Sequence, residues 1–481
     1  MGADMELRQI VYDVIKTQIQ FGAYKAGDIL PTMENAAGNF LVSLDTVRAA
    51  YLRLQREGYV TLSQNIGTMV IKDYNKQEVE LHVQHFFSHR KHALIDLSKS
   101  LRPLLGHAQW IGLKNAPVEI YKSIEQLESH NPLPPFTAFN HIMQAYASLG
   151  NELLLRLVWQ IFMFYEAPFF SMPENPWRLF VVRDYSLSSL DHWLRKDWNA
   201  LRESIYEAQD SLSLTLSQLY ERRITAPPPQ QEIPFTWSCY KKASQICYSL
   251  AMDLLISICR GQYPVNTLLP SLEKLSTERN VSVSTVRRAL SLLNGVGATR
   301  SSQRIGTRVL PLHETAQNCN LTSPAVRKRL LDMAQSLQIL TLSCKAVSEI
   351  TVASLDTAGL QKCKNELSSV KSRQQYELVT YAALELLERF APYQAIRTVY
   401  GELMQQLFWG YALRSMWQKK DDRMQFYLSC FESFTSALDE ADAALFSDKL
   451  EELLIHEFRF AVGNLVKLGI FEAERLLIPD L

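Results

Sequence analysis

The feature that most constrains this 481-residue chain is that it repeats itself. Residues 22–71 lie over 261–310 without a gap, and 19 of the 50 paired positions are identical. Gly22, Tyr24, Leu30, Pro31, Glu34, Val42, Ser43, Thr46, Val47, Arg48, Ala50, Leu54, Gly58, Ser63, Gln64, Ile66, Gly67, Thr68 and Val70 each meet their own kind. Unrelated sequences share only a few positions in such a window, so one structural unit occurs twice. Upstream, Leu7, Val11, Ile15 and Ile19 fall on Ile246, Leu250, Leu254 and Ile258. A row spaced by four is the buried stripe of an amphipathic helix, and a glycine (Gly22, Gly261) stops it in both copies.

The rest of the unit reads as two more helices and a hairpin. An extended stretch closes on Pro31 or Pro270, and a short helix follows from Thr32 to Phe40 and from Ser271 to Arg279. Ser43 and Ser282 suit the N-cap of a third helix, running over about 44–56 and 283–294. Residues 59–71 and 298–310 alternate as two short strands, with a tip near Gln64-Asn65 and Gln303-Arg304. Two short helices across a tight turn present the second to a major groove, and a hairpin beside it reaches the backbone or the minor groove.

Charge separates the copies. The whole chain balances 50 basic against 50 acidic residues, so it has no overall basic character. Residues 1–75 hold seven basic and eight acidic side chains, whereas residues 240–310 hold ten basic and three acidic. Affinity for phosphate follows the number of cations brought to it, so the second copy is expected to supply more of the salt-dependent affinity for DNA. Arg287, Arg288, Arg300, Arg304 and Arg308 are its expected carriers.

Both copies resemble the DNA-binding domain of the GntR regulators. The resemblance rests on GAYKAGDILPT, VSLDTVRAAYLRL and GTMV in the first copy, and on GQYPVNTLLPS, VSVSTVRRALSLL and GTRV in the second. It implies DNA contacts from Ser43, Thr46 and Arg48, and from Ser282, Thr285 and Arg287; Arg53 and Gln64 join them by position. Two basic positions of the family pattern are lost, one to Glu34 and Glu273, the other to Leu44 and Val283.

The regions after each copy are helical in pattern, with periodic stretches over 152–164, 190–220, 376–389, 395–412 and 426–468. The fold expected is mainly α, two winged helix-turn-helix domains each followed by an all-helical bundle. The boundaries are 1–74 and 240–311 for the winged domains, 78–224 and 320–481 for the helical ones. A proline-rich linker, 225–236, joins the halves. NHIMQAYASLGNELL (140–154) and ALDEADAALFSDKLEELL (437–454) resemble stretches of the FadR-like helical domains, which bind small effectors. His141, Trp159, Tyr165, Trp409 and Tyr411 are the candidate lining of such a pocket. Many relatives hold a metal through Asp and three His; here only His141 matches, so neither a metal nor another cofactor is expected.

The remaining signals are exclusions. Seven cysteines form no CxxC pair and read as reduced thiols. No apolar run reaches the length of a membrane span, because Arg156, Gln160 and Glu166 interrupt Leu153–Phe170. No phosphate cradle, nucleophile elbow or zinc-helix motif occurs, and no enzyme is expected. The function expected is a cytoplasmic DNA-binding regulator, by default a repressor. It would place two recognition helices on a double-stranded operator as a pseudo-dimer within one chain, with homodimerisation open and a small-molecule effector in the helical domains. The alternative is a scaffold or corepressor that no longer binds DNA.

Overall fold

The computed structural model describes residues 2–63, 65–120, 135–176, 191–239, 246–311, 314, 317–372, 378–410 and 421–479. The chain forms two compact units, Met1–Thr236 with Tyr393–Ala395, and Trp237–Pro392 with Ile396–Leu481.

The first unit opens with three helices, α1 (Gly2–Gln20), α2 (Met33–Phe40) and α3 (Leu44–Arg56), followed by an antiparallel hairpin of β1 (Val60–Ser63) and β2 (Gly67–Val70). Val60 pairs with Val70 and Ser63 with Gly67. The stripe expected along α1 is real: Val11, Ile15 and Ile19 are buried, with Val47, Ala50 and Leu54 of α3 equally enclosed. Then come α4 (Lys76–Ser88), α5 (Lys91–Leu101), α6 (His107–Lys114), α7 (Pro135–Ala147), α8 (Glu152–Ile161), α9 (Ala167–Ser171) and α10 (Trp198–Arg222). Five-residue π-helical turns, Arg102–Gly106 and Phe162–Glu166, join α5 to α6 and α8 to α9.

The helices close around α10, whose Leu201, Ile205, Leu212, Leu216 and Leu219 form a stripe exposed by 5% or less. Each such leucine is worth about 2 kcal/mol of transfer from water. Where α6 meets α7 the fit is tight: a Cβ on Gly112 would lie 2.6 Å from the carbonyl oxygen of Ala145. The stretch Glu152–Ser171 does reach the length and hydropathy of a membrane span, against the sequence expectation. It is 72% buried inside the unit, where it serves as a core helix.

The proline-rich stretch does not hang free. Gln84 Oε1 accepts from the backbone N–H groups of Thr225 and Ala226, and Ile233 N–H donates to the carbonyl of His89 at 2.8 Å. Glu232 takes the backbone N–H of His92, Gln160 donates to the carbonyl of Thr236, and Phe235 is buried edge-on against Phe164. The segment is thus strapped onto the first unit's helices.

The second unit repeats the opening: α11 (Ile246–Cys259), α12 (Leu272–Glu278), α13 (Val283–Gly295), β3 (Thr299–Ser302) and β4 (Gly306–Val309). Its helical part comprises α14 (Pro324–Ala353), α15 (Thr357–Ser372), α16 (Val379–Phe390), α17 (Gln394–Leu407), α18 (Asp421–Glu440) and α19 (Ala443–Lys467). The core here is α14, packed along α19 and buried on nearly all sides although many of its residues are polar. Thr341, Ser343, Ser348 and Thr351 return their hydroxyls to carbonyls four residues back, at 2.6–2.9 Å. That internal bonding is what lets a hydroxyl enter a core without a desolvation penalty. None of the seven cysteines forms a disulfide, and five of them are buried.

Two outcomes test this packing. Gly112→Ala forces the α6 and α7 backbones apart and is expected to cost about 1–3 kcal/mol in chemical denaturation. Glu166, partly buried with no ion pair among the described residues, has its carboxyl pushed up to about 7 by desolvation. A raised carboxyl pKa means that folding must keep the group protonated, so stability falls as pH rises from about 4.5 to 7. Glu166→Gln is therefore expected to raise the denaturation midpoint at pH 8 and leave it unchanged at pH 4.

Candidate nucleic-acid interface

Each recognition helix is aimed by the residues just before it. The turn out of the second helix uses one left-handed residue, Leu41 (φ 53°) in the first copy and Asn280 (φ 49°) in the second. Ser43 Oγ accepts the N–H of Thr46 at 3.3 Å, and Ser282 Oγ that of Thr285 at 3.2 Å. In both pairs the hydroxyls also meet at 2.8 Å. Thr46 and Thr285 are buried. Of the four hydroxyl residues expected to touch DNA, the two threonines therefore face inward as capping partners, and the two serines stand exposed at the helix head.

Beyond the caps the copies diverge. On α13, Arg287 and Arg288 are exposed, and neither has an ion pair or hydrogen bond among the described residues. On α3 the arginine equivalent to Arg287 is Arg48, and it donates to Asp45 at 2.7 Å. The second copy has Ser284 where the first has Asp45, which leaves Arg287 unneutralised. Arg53 is more firmly held: it donates to Glu57 at 2.8 Å, hydrogen-bonds Gln9 and covers the ring of Tyr12 at 3.8 Å. Tyr12 in turn donates to Glu57, and this hydroxyl together with Arg53 holds the Glu57 carboxyl below the usual range. The second copy fills the places of Tyr12, Arg53 and Glu57 with Ala251, Leu292 and Val296, all buried. Arg53 thus braces α3 against α1 in one copy, where plain apolar packing does the same work in the other.

The hairpins differ in the same sense. Arg300 sits directly opposite Arg308 in β3–β4, and Arg304 occupies the tip in a left-handed conformation (φ 66°). All three are exposed, and Arg300 is steered by a hydrogen bond to Asn318. The first hairpin has Thr61 opposite Met69 and Asn65 at the tip, and so carries no cation on that face. Asn294, at the end of α13, takes the Thr299 hydroxyl at 2.8 Å and donates to Ser301 at 2.8 Å. It ties the charged wing to the recognition helix, a link that spacing alone did not signal. Gln64 lies outside the described residues.

Of the residues expected to line an effector pocket, the structure describes the side chains of three. Trp159 is buried and donates its indole N–H to the carbonyl of Phe40 at 2.6 Å, which pins the end of α2 to the helical part. Tyr165 is fully buried and donates to the carbonyl of Leu212, and Trp409 is fully buried in the other unit. These three are core residues. Tyr411 and the side chain of His141 lie outside the described residues.

A capped recognition helix beside a two-stranded wing, built twice, defines a pair of winged helix-turn-helix modules of the DNA-binding type. Residues 7–70 and 249–309 each match the model of the bacterial regulatory proteins of the gntR family, so both modules are GntR-family domains. Similar solved structures include a GntR protein of Streptococcus agalactiae (16% identity, 44% of this chain, 99% of that chain, TM-score 0.22). Others are a putative GntR regulator of Rhodococcus sp. RHA1 (15%, 44% and 97%, 0.25) and McbR/YncC of E. coli (16%, 46% and 99%, 0.22). No curated protein sequence matches the chain.

The caps give a direct stability test. Ser43→Ala and Ser282→Ala each remove the acceptor for a third-helix N–H. Each is expected to cost about 1 kcal/mol in the urea transition of the unit that carries it.

Proposed function

We propose that the chain is a DNA-binding regulator whose second module anchors it on phosphate, while the first reads its half-site with little net charge. The observation that carries this reading is the contrast between the unpaired Arg287 and Arg288, backed by Arg300, Arg304 and Arg308, and the Arg48 neutralised by Asp45. Cations released from counter-charge can displace the ion atmosphere of DNA, whereas an arginine already paired must first give up its carboxylate. Ser43 and Ser282 stay with the DNA contacts in this reading, at the electropositive ends of the two helices.

Two recognition helices in one chain act as a pseudo-dimer on double-stranded DNA. Their exposed faces differ, with Asp45, Arg48 and Leu52 against Ser284, Arg287 and Ser291, so the two half-sites differ in sequence. The site is a cytoplasmic operator, and the output is repression by covering a promoter. A small effector bound by the helical parts shifts the fit to DNA. A corepressor or scaffold role has one observation in its favour, the self-neutralised face of the first module.

Binding to the chain's own upstream DNA across a salt series decides between the two. The regulator reading expects a steep loss of affinity with salt. Arg287→Ala with Arg288→Ala is expected to lower that slope by about 2, near 0.9 per phosphate contact. Asp45→Asn, which frees Arg48, is expected to raise the affinity. Weak binding that ignores both salt and these variants favours the scaffold.

A further inference from the structure

One open cleft of about 710 Å³ lies in the first unit, between the winged module and the helical part. Its polar lining is Asn35 and Asn39 of α2, Asn140 of α7, and Glu34; Tyr24, Ile29 and Pro31 supply the apolar lining. The Oδ1 atom of Asn140 is buried and has no hydrogen-bond partner among the described residues. The Asn140 side chain lines the cleft, and turning its amide outward lets a ligand donor remove the desolvation penalty of that unpartnered acceptor. Among the described residues no lysine or arginine lines the cleft and Glu34 does, so an anionic ligand meets repulsion there.

The helix wall shows a second sign of a built site. Gly38 sits inside the eight-residue α2, where glycine weakens a helix relative to alanine. Packing does not require it, because a Cβ added at Gly38 would meet nothing within 4 Å. What the missing side chain provides is depth in the cleft, which Gly38 lines. The repeat supplies the control. Tyr24, Pro31 and Glu34 recur as Tyr263, Pro270 and Glu273, but Asn35, Gly38 and Asn39 become Lys274, Thr277 and Glu278. There Lys274 and Glu278 close on each other at 3.8 Å, so a charged pair stands where the first copy has two amides and a gap.

We propose that this cleft binds a small neutral polyhydroxylated molecule of monosaccharide to disaccharide size. Its hydroxyls donate to Asn140 Oδ1 and the Glu34 carboxylate and accept from the amide N–H groups of Asn35 and Asn39. Its apolar ring face lies on Tyr24 and Pro31. The volume falls within the range of small-ligand sites. Occupancy bears directly on α2, whose carboxyl end is held by Trp159 and whose leading Pro31 carbonyl accepts from Tyr51 of the recognition helix at 2.8 Å. The site thereby links a ligand to the first module's DNA-reading helix.

The test is ligand-observed saturation-transfer NMR on the full chain with glucose, galactose, N-acetylglucosamine and sorbitol, and with glucose 6-phosphate as the anionic counterpart. At least one neutral probe is expected to bind saturably, and more tightly than the phosphate. Asn140→Ala is expected to weaken it by about tenfold, the weight of one good hydrogen bond. Gly38→Leu projects an isobutyl group into the cleft on a helix it should stabilise, and is expected to weaken binding at least about tenfold without lowering Tm. Absence of any neutral-probe signal, binding that survives both substitutions, or equal binding of the phosphate overturns the proposal. The regulatory link rests on the DNA-binding reading and is read separately, as a shift in DNA affinity on adding the bound probe. Sugar binding with no DNA binding at all would sink that reading and leave the site standing.

Discussion

Everything this chain presents to a partner through its two wings depends on a serine hydroxyl at the head of a helix. Ser43 and Ser282 end the turn, accept the N–H of the third helical residue, and are themselves steadied by that buried threonine. With the left-handed residue two positions earlier, this fixes where each third helix starts and therefore which side chains point outward. The hairpin follows from the same frame, because the glycine after the helix (Gly58, Gly297) adopts positive φ and turns the chain into the first strand.

On that shared frame a few substitutions divide the work. Asp45 against Ser284 decides whether an arginine is already satisfied, and Met69 against Arg308 decides whether the wing is charged. Glu57 against Val296 decides whether the helix pair is held by a polar network or by apolar contact. None of these alters the backbone, which is how one fold comes to carry two surfaces with opposite electrostatic behaviour. The helical parts depart further: in the first unit they reach α2 through Trp159, whereas in the second α13 ends against Val326 of α14, tightly enough that Gly295 has no room for a Cβ.

The winged modules were legible in the sequence because a repeat doubles every signal. Caps, glycines and the apolar stripe each occur twice at one spacing, and the third helices and hairpins fall where those marks put them. The helical parts were harder to read for a physical reason. α14 is enclosed on nearly every side and hides its serines and threonines by bonding them to its own backbone, so it shows no amphipathic stripe. Aromatic residues misled in another way: Trp159 and Tyr165 have the look of a pocket wall, but their polar atoms go to backbone carbonyls. The role of Arg53 as a brace depends on Gln9, Tyr12 and Glu57 converging from distant positions, which no local pattern announces.

The strapped segment changes the meaning of tether length in this molecule. Twelve residues rich in proline would ordinarily set the reach between two binding modules, and with it the effective concentration of the second once the first is engaged. Here that stretch is spent along helices of the first unit, fastened at Gln84, His89, His92, Gln160 and Phe164. Extra residues spliced in among Pro227, Pro228 and Pro229 would bulge as a surface loop between two fastened points. The free path would be the same as before, and the avidity of the chain would be indifferent to an insertion that in a slack linker would dilute it.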